Sequence, residues 1–292
     1  MRWRVMETLE ARMRDGVRLV LDRFDPVGPS LTASVILLHG LSSNAQLWWP
    51  VARLLSEQGV CSYTVDQRGH GRSGGAGSPM GIAESADDLL TVVKSISPSE
   101  PLAVVGQSWG ASVALHYGAV AADKPEVRPY VVGLVDGGFQ AMGRAFPSRE
   151  DALKELRPAE IDGRPIEELD AFFRRRYEDW DPEILLAARA GFHVDSAGLA
   201  YRRLAVSDHM VILSDLLDYE PHIDAGRLRS KLLLIPALAG SPEADEAKTE
   251  AAGRLLAEAP NQGWLRPIMG DHDLHAQYPE RIAEIIFESL SA

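Results

Sequence analysis

Ser108 lies between two glycines in GQSWG (106–110), where the apolar run LAVVG (102–106) gives way to a second apolar run. The first run reads as a buried strand, and the second, from about Gly110 to Val120, as a helix. A serine at a sharp strand-to-helix turn holds its hydroxyl clear of its own backbone, as a nucleophile must. Gly106 and Gly110 leave room for such a bend. The same spacing also fits a plain glycine-rich turn, one that could cradle a phosphate.

Acyl chemistry at Ser108 would need more groups. The oxyanion formed by attack needs two backbone donors. The Trp109 amide is one candidate. His39-Gly40-Leu41, at the end of the apolar run SVILLHG (34–40), offers the Leu41 amide as the other. A base must also reach Ser108, and GDHDLHAQYPE (270–280) carries two late histidines, His272 and His275. With Asp271 and Asp273 they could be read as a metal cluster. They do not follow H-E-x-x-H and lack a fourth ligand, so a metal site is not expected here. His209 and His222 read as surface or pocket groups.

These residues must be held by a scaffold. Strand signals fall near 4–10, 17–23, 34–40, 60–66, 102–106, 130–138, 231–240 and 263–268. Helix signals fall near 48–57, 82–96, 110–120, 245–258 and 279–290. Such alternation implies an α/β fold, a mostly parallel sheet flanked by helices. From about 139 to 227 the rhythm breaks into charged, aromatic-rich helical sequence without a strong buried-strand signal. The expected organisation is a core of 1–138 and 228–292 with a helical cap inserted at 139–227. Trp48, Trp49, Trp109, Phe139, Phe146 and the aromatics at 172, 173, 177, 180 and 201 could line an apolar pocket, although such spacing also suits the interior of a lid.

Composition narrows the function. The chain has 292 residues, 46% of them hydrophobic, enough for one or two cored domains. A net charge of −12 repels phosphate backbones and argues against nucleic-acid partners. Arg174-Arg175-Arg176, beside Glu178, Asp179 and Asp181, reads as a solvated helix face. The single cysteine, Cys61, excludes an intramolecular disulfide and reads as a buried, inert thiol in a strand. No apolar run approaches the ~20 residues of a membrane span, and the first residues lack a signal-peptide core. A soluble, cytoplasmic protein acting on a small molecule is expected, with no membrane partner; monomer and homodimer both stay open.

Four motifs together give a resemblance. LLHG (37–40), DQRGHGRS (66–73), GQSWG (106–110) and GDHDLHAQYPE (270–280) occur in the order of the α/β-hydrolase superfamily, which the whole chain resembles. The resemblance implies a nucleophile elbow at Ser108 and a mainly structural role for 66–73. The Pro-Glu seven residues after His272 selects it over His275 as the base. A serine nucleophile argues against the dehalogenase and epoxide-hydrolase branches. The chain departs from the pattern at the acid. Members usually place it after the strand here at 231–237, where AGSPEADEAK offers Glu243 and, two residues later, Asp245. Others place it one strand earlier, where Asp136 stands in LVDGG. A carboxylate at the end of a buried strand needs a partner, and His272 would supply one. Asp136 is therefore preferred, ahead of Asp245 and Glu243.

The implied activity is hydrolysis of an ester, lactone or related acyl bond of a small-to-medium apolar substrate through an acyl-enzyme, a mechanism that needs no metal or organic cofactor. Cofactor-free haloperoxidase or C–C bond hydrolase chemistry is an alternative on the same fold. A receptor-like protein that binds its ligand and hardly turns it over is another.

Overall fold

The computed structural model describes residues 6–28, 30–261 and 263–291; the first two positions of the strand expected at 4–10 lie outside the described residues. The chain opens with β1 (Met6–Arg12), β2 (Arg18–Phe24), β3 (Ser34–Leu38), α1 (Trp49–Glu57), β4 (Cys61–Asp66) and α2 (Ile82–Ile96). Then follow β5 (Leu102–Gln107), α3 (Trp109–Val120) and β6 (Val131–Val135). Between β6 and β10, in the segment expected as an insertion, lie α4 (Arg149–Glu155), β7 (Arg164–Pro165), α5 (Ile166–Arg176), α6 (Pro182–Arg189), β8 (Phe192–Val194), β9 (Leu199–Arg202), α7 (Val206–Asp218) and α8 (Pro221–Ala225). The chain closes with β10 (Lys231–Ile235), β11 (Ala237–Leu238), α9 (Pro242–Glu258), β12 (Trp264–Leu265), β13 (Ile268–Met269), α10 (Leu274–Gln277) and α11 (Pro279–Ser291).

Eight strands form one sheet in the order β1-β2-β4-β3-β5-β6-β10-β12. The first two pairings are antiparallel and the remainder parallel. The central strands β3, β5 and β6 are buried at every position because helices cover both faces. Successive side chains alternate between those faces. Ile36, Leu38, Val104 and Leu134 pack in one core with residues of α2 and α3. Val35, Leu37, Val105 and Val135 pack in the other with residues of α1 and α11.

Three local readings need correction. The strand expected over 231–240 breaks at Pro236, which has no N–H for the ladder; its tail pairs separately as β11 with β13. The insertion is not purely helical: β7, β9 and β8 form a small antiparallel sheet. Its β8–β9 hairpin turns on Asp195, whose carboxylate accepts the Ala197 and Leu199 amides, and on Gly198 at φ +82°. The strands are too short and exposed to show as apolar runs. Cys61, expected buried, is only half-buried, at the start of its strand. No helix among the described residues is long and apolar enough to cross a membrane.

The loop 66–73 ties the sheet to its surroundings. Asp66 accepts the Ala45 amide at 2.8 Å and the Arg72 guanidinium at 2.7 Å. Arg68 grips Asp88 of α2 through two bonds, of 2.7 and 2.6 Å, and both side chains are buried. Burial raises the Asp88 pKa although Arg68 pulls it down, so the carboxylate depends on its partner to stay charged. Arg68→Met should cost about 3–5 kcal/mol, because it leaves Asp88 buried and unpaired. Chemical denaturation of the two proteins measures the difference.

Candidate active site

β5 ends at Gln107 and α3 begins at Trp109, so Ser108 alone makes the turn. It does so at φ 54° and ψ −122°, a backbone that side-chain-bearing residues rarely adopt. The Ser108 amide bonds Val135 O at 2.9 Å. The glycines are steric necessities. A Cβ at Gly106 would stand 1.9 Å from the Gly110 carbonyl oxygen, and one at Gly110 would stand 2.5 Å from that of His39. Gly137, beyond β6, approaches as closely: its Cβ would lie 2.5 Å from Ser108 Cα. The positive end of α3 sits directly behind the serine.

His272, in the loop between β13 and α10, donates from Nδ1 to Asp136 Oδ2 at 2.6 Å. Asp136, just past β6, itself has a positive φ of 43°. Its Oδ1 accepts the Ala237 amide at 2.9 Å and the Lys248 ammonium at 3.0 Å. Burial works against its charge, yet these bonds, that of His272 foremost, hold its pKa below 3.8. Burial likewise opposes charge on His272, and Asp136 outweighs it, so the imidazole pKa lies above 6.5. Of the three candidate carboxylates, only Asp136 is paired with His272. Asp245 instead caps the β11–α9 loop by accepting the Ala239 and Gly240 amides, each at 2.8 Å. Glu243 is exposed in the first turn of α9. His275 is buried against Trp48, ring centroids 4.3 Å apart, and burial pushes its pKa down to about 3. Among the described residues no group of His, Cys, Asp and Glu is arranged to hold a metal ion.

The other expected donors belong to the loop after β3 and to the first turn of α3. Neither the Leu41 amide nor the Trp109 amide is engaged by another described residue. The loop is pinned by histidines. His70 Nε2 accepts the Ser42 amide at 3.1 Å, so its proton sits on Nδ1 and goes to Arg68 O. His39 Nε2 accepts the Gln67 amide, and its Nδ1 donates to Gly40 O. Burial lowers these pKa values to about 3 for His70 and about 4 for His39, so both stay neutral. From α7, His209 Nδ1 reaches Ser42 Oγ at 2.7 Å. It lines a cavity, in keeping with one expected role, whereas His222 sits half-exposed beside Glu220.

Ser108 and His272 face two cavities, of about 300 and 370 Å³. The smaller lies under α5 and α6, between Leu47, Phe172, Phe173 and Tyr177, with Ser42, Asn44 and Asp273 as polar walls. The larger is mainly apolar, bounded by Leu41, Trp109, Phe139, Met142 and Leu213. Several pocket aromatics expected from sequence are thus in place. Trp48 is not, being fully buried in the core. Arg176, expected in solvent, bonds Asp271 beside His272.

Two residues that position the site escaped the sequence reading. Gln107 donates to the His272 carbonyl at 3.0 Å and so joins the serine turn to the histidine loop. It occupies the variable position before the serine, where the motif gives no warning. Lys248 is one charged residue among many on α9, with no local signal at all.

Comparison with known proteins agrees with this architecture. The profile of the Alpha/beta hydrolase family matches residues 35–285, and the chain belongs to that family. A monoacylglycerol lipase of Mycolicibacterium smegmatis is 30% identical over 179 residues, 60% of each chain. The chain thus spans less than two thirds of that relative's length. Lipase LipV of Mycobacterium tuberculosis is 32% identical over 108 residues, 37% of this chain and 39% of that one. Among solved structures, E-2-(acetamidomethylene)succinate hydrolase superposes with a TM-score of 0.71 at 20% identity, covering 98% of this chain and 100% of its own.

The His272–Asp136 pair has a pH signature. The raised His272 pKa adds stability that is full below pH 6.5 and is lost as pH rises through its folded value. The lowered Asp136 pKa adds stability that is full above pH 3.8 and is lost on acidification. The melting temperature of the protein should therefore exceed that of His272→Gln most between pH 3.8 and 6.5, with the gap narrowing on either side. A gap independent of pH would contradict the pairing.

Proposed function

We propose that the protein hydrolyses a carboxylic ester or a related acyl bond, with Ser108 as nucleophile, His272 as base and Asp136 as its acid. The observation that carries this is the 2.6 Å bond from His272 to Asp136 beside a serine on a strained turn, with Ser108 and His272 facing the same two cavities. Nδ1 of His272 is committed to Asp136, which leaves Nε2 unprotonated to take the Ser108 proton. Ser108 Oγ attacks the carbonyl carbon, and the C=O electron pair moves onto oxygen. The Leu41 and Trp109 amides hold that oxyanion. Collapse expels the leaving group, which receives the proton from His272. Water then repeats the sequence on the acyl-enzyme and frees Ser108.

The larger cavity suits a small-to-medium apolar acyl group, and the smaller, with its polar wall, suits the leaving group. The lipase names of the relatives support the same bond class. A fluorophosphonate probe and a panel of p-nitrophenyl esters, lactones and vinylogous diketones test the assignment. Ser108→Ala should lose both labelling and turnover while melting close to the unaltered protein. Retained hydrolysis in purified Ser108→Ala would overturn it. Asp136→Asn should lower kcat on the order of 10³- to 10⁴-fold, because His272 then favours the wrong tautomer. Since His272 must be neutral to act, kcat/KM should fall on acidification through a midpoint above pH 6.5.

A further inference from the structure

Asp136 has two oxygens and they do different things. Oδ2 faces His272, while Oδ1 faces the Ala237 amide and the Lys248 ammonium. Lys248 also donates to the Ala237 carbonyl at 2.8 Å. The ammonium therefore bridges the carboxylate and the peptide that follows Pro236, where β10 has left the sheet. Turning the carboxyl group out of its plane would break both bonds at Oδ1, those from the Ala237 amide and the Lys248 ammonium. Lys248 comes from α9, and its side chain is 30% exposed, against 5% for that of Asp136. It also lines the larger cavity. Burying even part of an ammonium is costly unless it is paired.

We propose that Lys248 is a positioning residue of the reaction, locking Asp136 so that Oδ2 alone meets His272 and sharing the carboxylate's charge with it. The inference rests on the roles given to His272 and Asp136 above. Its consequence is electrostatic as well as geometric. Asp136 from β6 and Asp273 from its own loop favour the imidazolium of His272. Asp271 adds to them but is bonded to Arg176 of α5. Tyr177, just past α5, lies against Asp273, and His275 of α10 is held neutral by burial. Lys248 works the other way, making the imidazolium easier to deprotonate. A base that held its proton too firmly would deliver it to the leaving group slowly.

The test reads His272 directly. In protein labelled with ¹³C,¹⁵N-histidine, the His272 ring signal is the one missing from His272→Gln, and its titration needs no substrate. Lys248→Met should raise its midpoint on the order of one pH unit. Lys248→Arg, which keeps the charge, should stay near the unaltered protein. The acid limb of kcat/KM should move with the NMR midpoint in Lys248→Met. Its kcat should fall on the order of tenfold with KM little changed. Lys248→Gln replaces Lys248→Met if the apolar side chain unfolds the protein. An unmoved midpoint in a folded, charge-free variant would overturn the proposal, as would Lys248→Arg shifting as far as Lys248→Met. Absence of hydrolysis in the unaltered protein would instead strike the enzymatic reading and leave the titration result standing.

Discussion

Backbone crowding at Ser108 is the constraint on which the rest of the structure depends. The ends of β3, β5 and β6 and the first turn of α3 meet where no Cβ fits at Gly106, Gly110 or Gly137. That closeness brings the loop bearing Leu41 and the residue bearing Asp136 next to one serine. A larger residue at any of these glycines would push apart the elements that have to converge. The sheet order serves the same end. β3, β5 and β6 are adjacent and parallel, so their C-terminal ends open on one side. Crevices beyond those ends are where α/β sheets place their ligands.

The convergence has a cost. Ser108 and Asp136 both take positive φ, a strain of about 1–3 kcal/mol each for residues other than glycine. Such strain persists only where the surroundings over-determine it. Here β5 and β6 are fully buried or nearly so, their side chains split between two cores. The Ser108 amide bonds to β6 and the Asp136 amide to β10, so each strained residue is anchored in the neighbouring strand. The sheet thus carries the strain at two points one strand apart.

What sequence reveals about this site follows from how local each determinant is. The Ser108 turn is legible because its steric demands fall on residues two positions away. The parallel sheet is legible because strands buried on both faces must be continuously apolar, as SVILL and LAVVG are. The proposed acid is the least legible member, because what singles Asp136 out from Asp245 and Glu243 is a contact across 136 positions. Asp245 sits at nearly the habitual place, but its carboxylate serves the loop amides. Lys248 and Gln107 are invisible for the same reason, since their partners come from other elements. The β8–β9 hairpin was missed because four or fewer residues per strand carry too little apolar pattern, although Asp195 and Gly198 mark its turn.

The insertion does more than roof the cavities. His209 of α7 bonds Ser42 in the loop that carries Leu41, and Arg176 of α5 bonds Asp271 next to His272. The two ties reach different loops around Ser108: one the loop proposed to hold the oxyanion, the other the loop of the proposed base. A shift of α7 or α5 would therefore alter the geometry around the serine as well as the room available. The ties differ in strength. The Ser42–His209 bond is part-buried, with Ser42 exposed and His209 buried, and burial lowers the His209 pKa. The Arg176–Asp271 pair is about one-third exposed on both sides and is weakened by solvent and salt. The loop after β3 is held by side-chain bonds of His70, His39 and His209, and the His272 loop by those of Gln107, Asp136 and Arg176.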